Sequence, residues 1–183
     1  MDLKKIEDGF KVMLEGLGED VNREGLRDTP RRVAKAYSEM LSGIEEDPSS
    51  IALTQFDEST DEMILVKNIR FVSFCEHHFL PFIGTAHVAY LPKNSVVGLS
   101  KIPRIVDHFA KQPQVQERLT NQIAEFISSH LDAQGVGVII ESEHSCMTMR
   151  GVKKPGASMV TSKLMGSFKN DAKTRSEFLM LCR

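Results

Sequence analysis

Cys75-Glu76-His77-His78 places a thiol and an imidazole three positions apart, so that on a turn both can reach one metal ion. Zinc takes thiolate sulfur and imidazole nitrogen at about 2.0–2.3 Å. A second group, His144-Ser145-Cys146, lies far along the chain. If that segment is extended, His144 and Cys146 point to the same side. Brought together, Cys75, His78 and Cys146 offer three soft ligands and leave a fourth position open for water, which marks a catalytic zinc site. Two other readings are open at this point: a closed structural site with Cys182 as fourth ligand, and buried core thiols with no metal. His77 and His144 each adjoin a proposed ligand and are candidates for proton transfer near neutral pH. His87, His108 and His130 fall inside strand and helix patterns and read as ordinary surface or core histidines.

The elements that must position these residues follow from apolar spacing. Residues 1–60 read as a helical segment. Ile6, Phe10, Met13, Leu14 and Leu17 form one helix face, and Thr29-Pro30 starts a second helix with Thr29 as N-cap. Residues 45–62 are acidic and Ser-rich, a solvated connector. From Met63 the period changes to that of strands, over 63–72 and 85–91, with a break between Cys75 and Pro81. Helices are expected from Lys101 (Ile102, Ile105, Val106, Phe109) and over about 114–132 (Leu119, Ile123, Phe126, Ile127). A buried strand is expected over 136–140, short strands around 147–150 and 159–168, and a last short helix with Phe178 and Leu181. The order implies an α+β fold, an antiparallel sheet with helices on one face. Residues 61–183 would form the catalytic α+β part of what is overall one structural domain.

Composition narrows the function. The chain has 183 residues, 26% of them charged, with a net charge of −2. Broad nucleic-acid binding needs a dense basic surface and is disfavoured. A few converging cations can still bind a small anion. The chain has no apolar run long enough to span a bilayer and no signal-peptide pattern at its N-terminus. Three cysteines make a poor disulfide framework, and a cytoplasmic setting that keeps thiols reduced is expected.

Further motifs accompany the two clusters: Pro81-Phe82-Ile83-Gly84, Gly98-Leu99-Ser100-Lys101, Gln114 to Thr120, and Arg150-Gly151 after Met147. Together, in this order over roughly residues 25–181, they resemble the GTP cyclohydrolase I family. The resemblance implies a tunnelling-type fold, with sheets from several subunits forming barrels, and a homodecamer with active sites at subunit interfaces. It implies Zn2+ on Cys75, His78 and Cys146, and catalytic roles for His77, His144 and Ser100. Glu117, with Gln116 and Leu99 beside it in the matching motifs, is implied to bind the guanine. Lys101, Arg104 and Arg150 are implied to bind the triphosphate.

The implied reaction is hydrolysis of GTP at guanine C8 to formate and 7,8-dihydroneopterin triphosphate, at the start of folate and pterin synthesis. The assignments are chemically sound. Guanine presents N1–H and its 2-amino group side by side, and one carboxylate accepts from both. Lys101 and Arg104 share a helix face. Two rivals are weighed. A metal-stabilised interaction protein requires Cys182 to close the zinc site. A zinc nucleobase deaminase requires H-x-E paired with P-C-x-x-C, which the sequence lacks.

Overall fold

The computed structural model describes residues 1–51, 54–58 and 60–183; Ala52, Leu53 and Ser59 of the expected connector lie outside them. Two helices open the chain, α1 (Leu3–Gly16) and α2 (Thr29–Met40). Asp2 caps α1, its carboxylate accepting from the Lys5 amide at 3.0 Å. Thr29 departs from the expectation. It is the first residue of α2, Asp28 holds the cap position, and the Thr29 hydroxyl donates back to the Gly25 carbonyl at 3.3 Å.

The connector carries a short strand, β1 (Gln55–Phe56). The main strands follow: β2 (Ile64–Cys75), β3 (Pro81–Pro92), β4 (Val96–Val97), β5 (Pro113–Gln114), β6 (Ala133–His144) and β7 (Met159–Gly166). β1 and β4 make a two-stranded ribbon, and the main sheet has the order β5-β2-β3-β6-β7. β2, β3, β6 and β7 are antiparallel neighbours, and only the short edge strand β5 runs parallel to β2. The sequence pattern thus finds its α+β antiparallel sheet.

Two long helices cover one face of it, α3 (Lys101–Ala110) and α4 (Gln116–His130). Alternate β3 residues Phe82, Ala86, Val88 and Tyr90 meet Ile102, Ile105, Val106, Leu119, Ile123 and Ile127 in one buried core. At one end of the opposite face, α6 (Ser167–Asn170) and α7 (Ala172–Leu181) add a second, smaller core. Phe168 and Phe178 are both 0% exposed there, edge to face at 5.3 Å. Gly137 admits them, because a Cβ at that position would stand 2.8 Å from one ring and 2.9 Å from the other. Cys182 packs in this second core, away from Cys75 in the first, so it is not the fourth member of the metal cluster. Among the described residues no helix is long and apolar enough to cross a membrane.

Candidate metal centre

Cys75 ends β2, and the chain turns at once over residues 76–78 to enter β3. Three backbone bonds shape the turn: Cys75 donates to the Leu80 carbonyl at 2.9 Å, Phe79 to Cys75 at 2.7 Å, and Glu76 to Gln114 on β5 at 3.0 Å. Phe79 has φ 54°, a left-handed conformation that a bulky side chain rarely adopts. Its ring packs at 5.5 Å on Tyr37 of α2 and at 5.6 Å on Phe74. The aromatic contacts hold the strained residue in place, so an N-terminal helix helps position the ligand turn. The Glu76 carboxylate accepts from Arg118 on α4, and Arg118 also donates to the Pro113 carbonyl at 2.9 Å and the Gln114 amide oxygen at 3.1 Å. The Arg118 guanidinium keeps the Glu76 carboxyl below its usual range.

The second half of the site departs from its expected local structure. β6 stops at His144, and residues Ser145–Thr148 form one helical turn, α5, where 147–150 were expected to be a strand. His144 and Cys146 are therefore not alternate residues of one strand. Cys146 instead reaches Cys75 from the turn of α5. Cys75, His78 and Cys146 offer ligand atoms that all lie within 4.8 Å of one another, with Cys75 buried, Cys146 half-buried and His78 exposed. Burial, and then the adjacent Cys75 thiol, push the Cys146 thiol above its ordinary pKa. Two thiols this close resist joint ionisation unless a cation sits between them. Two sulfurs and one imidazole are a donor set that fits zinc with one position to spare.

Around the cluster stand four more of the expected residues. His77 is exposed, with Nδ1 4.0 Å from the Cys75 sulfur. His144 stacks on Phe82 with ring centres 4.5 Å apart and planes within 6°. Burial lowers its pKa, and Glu117 acts against that shift. Glu117 is exposed in the first turn of α4, where the helix dipole favours a carboxylate. Arg150 follows α5 on the surface, where its charge favours the Cys146 thiolate.

Gln116 corrects an expectation. Its side chain is 1% exposed and spends both ends inside the protein, Nε2 on the Ile140 and Met159 carbonyls and Oε1 on Ser142 and His144. It has no hydrogen-bonding capacity left for a substrate, so its side chain supports His144 instead. Sequence reading missed this support, and with it Phe82, Ser142 and Thr161. The signal available was weak: Phe82 stood in a recognised motif, and the others are separated from Gln116 by long stretches of chain.

Leu99, Ser100 and Lys101 lie at the other end of the sheet. Phe82 pairs with His144 at one end of β3 and Tyr90 with Val136 at the other. The Tyr90 hydroxyl accepts from Val97 at 3.0 Å, and the Gly98 carbonyl accepts from Lys101 at 2.9 Å. Eight residues of β3 separate the two ends, about 26 Å at roughly 3.3 Å per residue. Arg104, one turn further along α3, lines a separate small cavity with Glu46, Asp107 and His108.

A donor set of two thiols and an imidazole, flanked by histidines and a helix-borne carboxylate at one end of an antiparallel sheet, could hold a metal ion beside groups able to carry protons. The family profile of GTP cyclohydrolase I matches residues 6–183, and the chain belongs to that family. The GTP cyclohydrolase 1 of Listeria welshimeri is 54% identical over 184 residues, covering 100% of this chain and 97% of that protein. The relative of the same name from Carboxydothermus hydrogenoformans is 53% identical over 182 residues, with 99% and 95% covered. That from Rhodopirellula baltica is 51% identical over 181 residues, with 99% and 79% covered.

Proposed function

We propose that this protein hydrolyses GTP at guanine C8 to formate and 7,8-dihydroneopterin triphosphate, the entry to folate and pterin synthesis, with zinc held by Cys75, His78 and Cys146. The observation that carries the reading is the gathering of those three donors with His144 and Glu117 at one end of the sheet, in a chain of this family. When bound, zinc supplies Lewis-acid chemistry that lowers the pKa of water from 15.7 to about 7. Glu117 accepts from guanine N1–H and the 2-amino group and orients the base. His144 gives a proton to a ring nitrogen as the imidazole ring of the base opens. His77, beside the Cys75 sulfur, assists proton transfer or orients the ribose.

Ser100, Leu99 and Lys101 stand too far along the sheet to serve the metal cluster of their own chain, and Arg104 lines a separate cavity. In this reading they serve the cluster of another copy, with Ser100 as proton relay for the ribose and the cations, joined by Arg150, on the triphosphate. The edge strand β7, with Val160 60% exposed, is suited to self-association into the expected homodecamer. The three free thiols fit a reducing, cytoplasmic setting.

The test follows formate release and pterin absorbance together, with zinc-loaded protein and GTP. Both signals should vanish on chelation and return with zinc. His144→Ala should keep zinc and GTP binding and lose about 10²–10⁴ in turnover. GTP binding without formate from the unaltered protein would sink the catalytic reading, and near-normal turnover in the variant would remove His144 from it.

A further inference from the structure

We infer that Gln116 is a positioning residue that commits His144 to the tautomer with its proton on Nε2, so that Nδ1 is the nitrogen through which His144 exchanges protons. The catalytic consequence rests on the proposed use of His144; the tautomer itself rests on hydrogen bonds alone.

A primary amide has one oxygen that only accepts and one nitrogen that only donates. The Gln116 nitrogen lies 3.0 Å from the Ile140 carbonyl and 2.9 Å from the Met159 carbonyl. Backbone carbonyls only accept, so a rotated amide would press its oxygen against two others in a buried site. The third neighbour agrees. Thr120 donates to the Gln116 backbone carbonyl at 2.7 Å. Thr161 then donates to Thr120, also at 2.7 Å, and keeps a lone pair for Gln116 Nε2 at 3.1 Å. The orientation of the amide is thus over-determined, and Oε1 must face Ser142 at 2.6 Å and His144 Nε2 at 2.9 Å. An oxygen accepts only, so His144 Nε2 carries hydrogen. The Phe82 stack at 4.5 Å and 6° sets the plane of the ring. Neutral His144 is left with its lone pair on Nδ1, and the imidazolium with a mobile proton there. A histidine held as the wrong tautomer costs a serine protease about 10⁴ in kcat, which sets the scale for such control.

The test reads the tautomer directly. The 15N spectrum of histidine-labelled, zinc-loaded protein, with the His144 signals assigned by their loss in His144→Ala, should place the proton on Nε2. Gln116→Met keeps the length of the side chain and removes the amide. It should let the Nδ1–H form grow and lower kcat by about 100-fold, within the range for a positioned acid–base group. A residue that only supported the fold would instead change zinc content or the KM for GTP, and both should stay within about threefold. A proton on Nδ1 in the unaltered protein overturns the inference, as does a Gln116→Met spectrum still showing only Nε2–H. If Gln116→Met does not fold, the spectrum of the unaltered protein decides alone. A protein that shows the expected spectrum yet releases no formate would fail the proposed reaction and leave the tautomer standing.

Discussion

Where Phe82 faces His144, the sheet ends in a dense polar interior; beyond the buried pair of Tyr90 and Val136, Leu99, Ser100 and Arg104 present exposed side chains. At the first end Ser73, Gln114, Gln116, Thr120 and Ser142 are each at most 2% exposed, and each is hydrogen-bonded. Leu99 at the second end is 73% exposed, and Ser100 and Arg104 are exposed beside it. Metal ligands and proton carriers need fixed geometry, and a buried, saturated hydrogen-bond network supplies it. Cations that grip a flexible triphosphate need reach more than rigidity, and a surface provides that. In the proposed reading, the contrast separates what one chain builds for itself from what it offers to another.

The sharpest way to break the comparison is to empty the rigid end. Cys146→Ser removes one of the three proposed ligands, so zinc should fall to background after dialysis and turnover below detection. Serine nearly matches the size of the half-buried Cys146 side chain, so far-ultraviolet circular dichroism should be unchanged. Full zinc occupancy with unchanged affinity would refute the ligand assignment.

Lys101→Ala probes the exposed end and should act more gently. A hydrogen bond to a charged group contributes about 1.5–3 kcal/mol, so KM for GTP should rise roughly 10- to 100-fold while zinc content stays constant. Mixing then sharpens the comparison. Subunits carrying only Lys101→Ala and subunits carrying only Cys146→Ser, unfolded and reassembled together, should show, at GTP well below the raised KM, more turnover than either shows alone. Sites completed within one chain would show no recovery.

The sequence made parts of this contrast legible. Cys75 and His78 were readable because their spacing on a turn is a local property, and α3 and α4 because Ile102–Phe109 and Leu119–Ile127 repeat at helical period. Cys146 does come together with Cys75 and His78, but from a different local structure, since α5 replaces the expected strand. The task of Gln116 was not readable at all. Its partners Ile140, Met159 and Thr161 are 24, 43 and 45 residues away, and only the register of β6 with β7 brings them to one point. For the same reason the separation of Ser100 from Cys75 could not be seen, although the motifs containing them were.

The smallest expected effect lies in the support of the ligand turn. Arg118 binds the Glu76 carboxylate and the Pro113 carbonyl, joining the turn to α4, yet both charged groups are more than a third exposed and solvent screens them. The backbone bond from Glu76 to Gln114 at 3.0 Å and the pairing of Cys75 with β5 persist without the guanidinium. Arg118→Met, which keeps the apolar stem, should therefore weaken zinc binding by about tenfold, the lower end for residues that support metal ligands. Competition with a chromophoric chelator measures this without reference to turnover. The loss should shrink in high salt, where the unaltered protein also loses part of the ion pair. An affinity equal to that of the unaltered protein at low salt would show that β5 and the aromatic packing of Phe79 hold the turn unaided.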